Sequence, residues 1–205
     1  MSLIMASIHL VSCQHFMSGI GQYGVQLARH LRKRGELVTL HKPSKPNAAD
    51  QHYDQLPWVT PFQYRSFGSL HPYVLPLFIA KSLRKSERDA VFHAHWFLSG
   101  LAVSAIRKRL VVTMHDVSLL HIHEKSGRYT DYYRWVLKRF RDRQVPIITV
   151  SEAARKDAIH YGEFHPEQVV AIPNGIDFQR FHPAEKTLNS STFTIAYAGG
   201  LGPRK

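Results

Sequence analysis

The sequence predicts a doubly wound α/β domain on a mainly parallel sheet, and three observations carry that reading. Short β-branched runs recur along the 205 residues. Several of them are nearly all apolar, as strands buried on both faces must be. Segments of helical periodicity lie between them, so that strand and helix alternate. At 44% apolar, the chain can bury one core of generous size.

Taken in order, the strands are expected at Ser7–Ser12, Leu37–His41, Trp58–Tyr64, Ala90–His93, Leu110–Met114, Ile147–Val150, Val169–Ile172 and Phe193–Ala198. The first helix carries an apolar stripe of Tyr23, Leu27 and Leu31. It ends at Gly35 after Arg32-Lys33-Arg34, basic residues that suit the negative end of the helix dipole. Helices follow at Val74–Arg88, Phe97–Lys108, Tyr129–Arg141 and Glu152–Tyr161, the last with Ser151 placed as its amino-terminal cap. Residues 184–192, "AEKTLNSST", are polar and without periodicity, a linker composition. Residues 1–182 are therefore expected to form one domain, 183–192 a linker, and 193–205 the opening strand and glycine turn of a second domain.

No run approaches the ~18 apolar residues of a membrane span; the best, Tyr73–Ala80, is short and contains Pro76. The amino terminus lacks a basic stretch followed by an apolar one, so no secretory signal is expected. A single cysteine, Cys13, excludes an internal disulfide framework and fits a reducing compartment, which points to the cytoplasm. Lys and Arg outnumber Asp and Glu by 27 to 15, a net charge of +12, which favours an anionic partner: nucleic acid, a phosphorylated small molecule or an acidic lipid surface.

Five stretches can carry chemistry. In "SGIGQYG", Gly19, Gly21 and Gly24 match G-x-G-x-x-G, yet six residues separate the pattern from the strand, and the acid expected about twenty positions later is missing. What remains is a glycine loop that approaches an anion above a helix amino terminus, or a glycine turn that serves only close packing. In "VFHAHWF", His93 and His95 alternate onto one side of a strand end and suit the lining of a cleft at the carboxyl edge of the sheet better than a metal site. In "VVTMHD", Asp116 either orients His115 or caps the segment that follows. On the Tyr129–Arg141 helix, Tyr129, Tyr133, Val136 and Phe140 share one face while Arg134, Lys138 and Arg141 fall on another side. The plain reading is a solvated basic face; the sharper one is contact with anionic lipid or a phosphorylated acceptor. Finally, Pro173-Asn174-Gly175 is a turn signal.

The order of these stretches resembles the amino-terminal half of retaining glycosyltransferases of family 4 with the Rossmann-like GT-B fold. The glycine stretch is followed by "HAHWF", "TMHD", "TVSEAARKDAIHYG", "VVAIPNGIDFQRFHP" and "IAYAGGLGPRK". The resemblance covers nearly the whole chain, and the "PNGID" segment with the strand and glycines after it is its most specific part. It implies an acceptor held mainly by this half, a nucleotide-diphosphate-sugar donor held mainly by a second domain, and transfer with retention and no required metal. It matches Gly19 and Gly21 to the glycine loop beside the donor diphosphate, His115 to the histidine that contacts the transferred sugar, and Lys205 to the lysine that neutralises the diphosphate. His93, His95, Asp116 and Asn174 are the candidates for the acceptor side of the cleft. Gly200 stands where the family often has arginine, so one diphosphate contact that the resemblance implies is missing, and Arg204 nearby is not counted in its place.

Since the carboxylate motif and nucleotide pocket lie outside these residues, the chain is expected to be inactive by itself. Peripheral contact with an acidic membrane is compatible with a lipid-linked acceptor. Two alternatives come from other classes. One is an NADP-type oxidoreductase domain with Lys42 and Lys45 on a 2′-phosphate. The other is a non-catalytic basic module for nucleic acid or membrane; no nucleic-acid motif is present, so no nucleic-acid partner is expected.

Overall fold

A computed structural model describes residues 6–44, 52–64, 68–87, 89–106, 109–121, 127–179 and 181–183. The chain divides into two compact units, Met1–Asn174 and Gly175–Lys205.

Among the described residues the first unit has seven strands: β1 (Ile8–Val11), β2 (Val38–Pro43), β3 (Val59–Phe62), β4 (Val91–Ala94), β5 (Leu110–Met114), β6 (Ile147–Thr149) and β7 (Val169–Ala171). They lie in the order β3-β2-β1-β4-β5-β6-β7, and every pair is parallel. The doubly wound fold predicted from the alternation is the one observed. Prolines fall at β2 Pro43 and β3 Pro61, the second of them on an edge strand, where a missing N–H costs no ladder bond on the outer side.

The two faces bury separate cores. Leu10, Val38, Leu40 and Val59 meet Val25 and Ala28 of helix α1 (Gly19–Lys33) on one face. The larger core, with Val11, Phe92, Val112 and Ile147, lies on the other. It receives α2 (His71–Ser82) through Leu75 and Ile79, α3 (Phe97–Ile106) through Phe97 and Val103, and α5 (Arg128–Asp142) through Val136 and Phe140. The short α4 (Ser118–His121) precedes α5, and α6 (Glu152–His160) leads into β7. Because α1 serves one face and the next long helices the other, the winding reverses between β1 and β4. At such a reversal, the carboxyl ends of the strands are where open α/β sheets bind ligands.

Local chemistry sets the helix ends. Ser151 Oγ accepts from Ala154 N at 3.1 Å, the cap expected for α6. Gly35, at φ +89°, takes the left-handed position just past α1. Helix α2 starts at His71, ahead of the expected Val74, because Pro72 suits a first helical turn. It ends at Ser82 and passes into a 3₁₀ turn over Leu83–Lys85, rather than running on to Arg88. Pro76 removes the donor that would have met the Pro72 carbonyl, and the Tyr132 hydroxyl reaches that oxygen at 3.4 Å instead.

One expectation is corrected. Pro173-Asn174-Gly175 is not a tight turn: Ile172 to Asp177 carries no turn, and neither Asn174 nor Gly175 is among the described residues with positive φ. Pro173 fixes its own φ and biases Ile172 to extended backbone, while Ile172 N is held by the Thr149 carbonyl at 2.8 Å. In the second unit, a local turn closes with Phe181 N on the Asp177 carbonyl at 2.8 Å. The expected strand Phe193–Ala198, Gly200, Arg204 and Lys205 lie outside the described residues.

Candidate functional site

At the carboxyl edge of the sheet, side chains of α1 meet the residues at the ends of β4 and β5. Helix α1 begins at Gly19, so the three glycines read as a loop form its first two turns. Ser18 caps it, its Oγ accepting from Gly21 N at 2.9 Å, and Ser18 O accepts from Gln22 N at 2.9 Å. The N–H groups of Gly19 and Ile20 are left pointing out of the helix end, with the positive end of its dipole.

The glycines differ in what they permit. A Cβ on Gly21 would sit 2.0 Å from the His15 carbonyl oxygen, and one on Gly24 would sit 2.7 Å from the His95 ring. Both serve close packing, of α1 on the 15–18 turn and on the end of β4. Gly19 is exposed, with nothing within 4 Å of that position, and is the glycine open to an approaching anion.

Behind this helix end, three imidazoles gather around one phenol. The Tyr23 ring stands edge-on to His115 at 5.0 Å and 90°, to His95 at 5.2 Å and 87°, and to His93 at 6.4 Å and 87°. His93 and His95 are 5.1 Å apart, as residues two apart on a strand end should be. The Tyr23 hydroxyl is 3.2 Å from Thr113 Oγ1, which in turn lies 2.7 Å from His93 Nε2. The Trp96 indole flanks His115 at 6.2 Å.

Burial keeps this cluster uncharged. It pushes His93 down to about 4, with the neighbouring His115 acting in the same direction. His95, with no exposed surface, is lowered well below the ordinary imidazole value by burial and by its two histidine neighbours. His115 is lowered by burial too, against the opposing pull of Asp116 and a hydrogen bond with the His95 backbone. Among the described residues, His115 Nε2 and both His95 ring nitrogens are buried without partners. Buried polar atoms left unpaired are costly, which sets these nitrogens apart from the rest of the packed interior.

The sequence-predicted residues fare differently. His93, His95 and His115 are brought together, but His95 is fully buried and does not face open solvent. Asp116 takes the capping alternative: its Oδ1 accepts from Ser118 N at 3.0 Å and from Ser118 Oγ at 2.6 Å. Asn174 is exposed on the extended segment after β7. The anchor supposed for a nicotinamide 2′-phosphate is corrected: Lys42 is buried, with its Nζ 2.6 Å from Asp54 Oδ1 and Ser44 bonded to the other oxygen. A lysine committed to a carboxylate is not available to a phosphate. Lys45 lies outside the described residues. On α5, Arg134, Lys138 and Arg141 are paired with Asp131, Asp142 and Glu163 at 3.5, 2.7 and 2.9 Å.

Tyr23, Thr113 and Trp96 were missed as site residues. Tyr23 reads as part of an apolar stripe, and Thr113 as one more member of a buried strand. The signal that finds Thr113 is strand alternation, which puts it on the same side as His115. The single thiol, Cys13, is buried and pushed up to about 12, which keeps it protonated and inert. Among the described residues, no three His, Cys, Asp or Glu side chains are grouped to hold a metal ion, and no helix is long and apolar enough to cross a membrane.

The profile of Glycosyltransferase Family 4 matches residues 17–180. Among solved structures, a glycosyltransferase from Rickettsia africae ESF-5 is similar with a TM-score of 0.60 and 17% identity, over 90% of this chain and 47% of that one. Anabaena Alr3699/HepE, in complex with UDP and glucose, is similar with a TM-score of 0.56 and 19% identity, over 85% of this chain and 46% of that one. The chain thus spans about half the length of the solved structures it resembles. No curated protein matches it.

Proposed function

The chain belongs to glycosyltransferase family 4, and from that premise we propose that it is the acceptor-side half of an enzyme that transfers a sugar from a nucleotide-diphosphate-sugar with retention of configuration. The observation that carries the reading is the cluster at the switch point: helix α1, with its exposed amino terminus at Gly19, packs Tyr23 against a neutral His115 whose Nε2 is buried and unpartnered. Departure of the nucleotide builds negative charge on the diphosphate. In this reading the α1 amino terminus at Gly19, with Gly21 shaping its approach, supplies compensating charge, and Lys205 is a further candidate for that role. No metal is assigned to that task. His115, uncharged, hydrogen-bonds the transferred sugar, and His93 and His95 support it from behind. Asp116 and Asn174 border the acceptor. The similarity to a protein solved with UDP and glucose supports the donor class.

The test is nucleotide release from a panel of UDP-, GDP- and ADP-sugars with EDTA present, the full-length enzyme beside the 205-residue chain, each with and without lipid-linked and soluble sugar acceptors. Release by the full-length enzyme from one donor, and none by this chain alone, is the expected result. Release by the chain alone would overturn the assignment of the donor to a second domain.

A peripheral contact with acidic lipid is part of the same reading. The exposed Trp135 and its neighbours Arg128, Arg134 and Lys138 on α5 support it, as does the net charge of +12. The ion pairs within α5 are exposed and give way at little cost. Flotation with vesicles containing a third phosphatidylglycerol should carry the protein at low salt and lose it as salt rises. Recovery equal to that on neutral vesicles would refute the contact.

A further inference from the structure

We propose that Tyr23 is a positioning residue: its ring sets the His115 imidazole at the angle that meets the sugar, and its hydroxyl, anchored on Thr113, fixes the ring. The proposal rests on the role given to His115 above. Three imidazoles from two strand ends take their angular setting from one side chain on α1, each within 3° of perpendicular to the phenol. The hydroxyl contact at 3.2 Å reaches an oxygen that His93 also holds at 2.7 Å, so the phenol is tied to both strands that carry the imidazoles. Gly24 makes the approach possible, because any side chain there would strike the His95 ring and lift α1 away. The same helix turn presents Gly19, so the position of Tyr23 couples the open helix end to the imidazole cluster.

Tyr23 does not act as an acid or base. Burial pushes its hydroxyl above the ordinary tyrosine value, with Thr113 acting in the opposite direction. It contributes shape and exclusion of water. The groups that face His115 are His93 and His95 from the end of β4, Tyr23 from α1, Trp96, and Asp116 beside it.

Two variants of the full-length enzyme test this. Tyr23→Leu removes ring and hydroxyl, and Tyr23→Phe removes the hydroxyl alone. Tyr23→Leu should lower kcat by about 100-fold, the size expected of a misplaced catalytic contact, with the donor KM nearly unchanged. Tyr23→Phe should recover most of that loss. A raised KM with kcat intact would make Tyr23 a plain binding residue and overturn the proposal. The second readout does not need turnover: the His115 imidazole titration followed by NMR in the same proteins. Tyr23→Leu admits water and should move that titration up toward the ordinary histidine value, while Tyr23→Phe leaves it in place. An unchanged titration in Tyr23→Leu overturns the proposal whatever the kinetics. A moved titration in a protein that releases no nucleotide from any donor would keep the positioning role and reject the transferase reading. If Tyr23→Leu does not fold, Thr113→Val removes the anchor at constant volume and should lower kcat several-fold at constant donor KM; an unchanged kcat there overturns the proposal.

Discussion

Replacing His115 with alanine in the full-length enzyme is expected to lower kcat by about two to three orders of magnitude, the usual cost of deleting one stabilising contact at a reaction centre. The melting temperature should stay close to that of the parent. The reason lies in how the residue is held. His115 is only partly buried and uncharged, and its Nε2 has no protein partner. Deleting a core side chain costs transfer energy and a cavity, but deleting an unpaired buried nitrogen relieves a penalty at the same time. The two effects oppose each other, so stability hardly registers a change that chemistry feels strongly. Initial rates with the donor identified by the panel, together with a thermal melt, check both halves. Near-normal turnover would remove His115 from the reaction centre and leave the cluster a structural one.

Much of this arrangement was legible in the sequence because it depends on local rules. The seven described strands were found where β-branched runs predicted them, and the Ser151 cap where a hydroxyl preceded a helix. His93, His95 and His115 were placed at one edge by strand alternation alone. What the sequence did not disclose depends on long-range packing. Nothing local in "SGIGQYG" says that the helix starts at Gly19, because a helix beginning on two glycines has poor intrinsic propensity. The start is settled by the Ser18 cap and by the His15 carbonyl that leaves no room for a side chain at Gly21. Tyr23 looked like core because its helical spacing is that of core, and only the approach of α1 to β4 turns it toward the imidazoles. The Lys42–Asp54 pair was equally invisible. A lysine after a strand reads as solvent-facing, and its partner comes from a separate segment twelve residues on. The turn expected at Pro173-Asn174-Gly175 failed for the converse reason: residues that permit a turn do not impose one.

The same burial that keeps the imidazoles neutral makes the fold sensitive to acid, and this is the second large effect. His41 lies in the sheet with its Nε2 2.8 Å from His9 Nδ1, and burial holds it down to about 3, with His9 acting in the same direction. His93 is held at about 4, and His95 well below the ordinary value. In each case the folded protein binds its proton less readily than the unfolded chain, whose histidines titrate near 6.5. Stability is therefore complete above about pH 6.5 and is lost as pH falls through the window between that value and the folded values. Each imidazole contributes a slope of up to ~1.4 kcal/mol per pH unit, so the three together reach ~4 kcal/mol per unit. Against a total stability of about 5–15 kcal/mol for a domain of this kind, that slope places the acid transition near about pH 5 if the stability lies at the low end of that range and below about pH 4 if it lies higher. Circular dichroism across pH 7 to 3.5 measures it. His41→Gln, whose amide can still meet His9 but cannot titrate, should make the transition shallower by about one proton and move its midpoint to lower pH. A protein that keeps its melting temperature unchanged down to pH 4 would show that these imidazoles are hydrated in solution, and with them the site that Tyr23 is held to close.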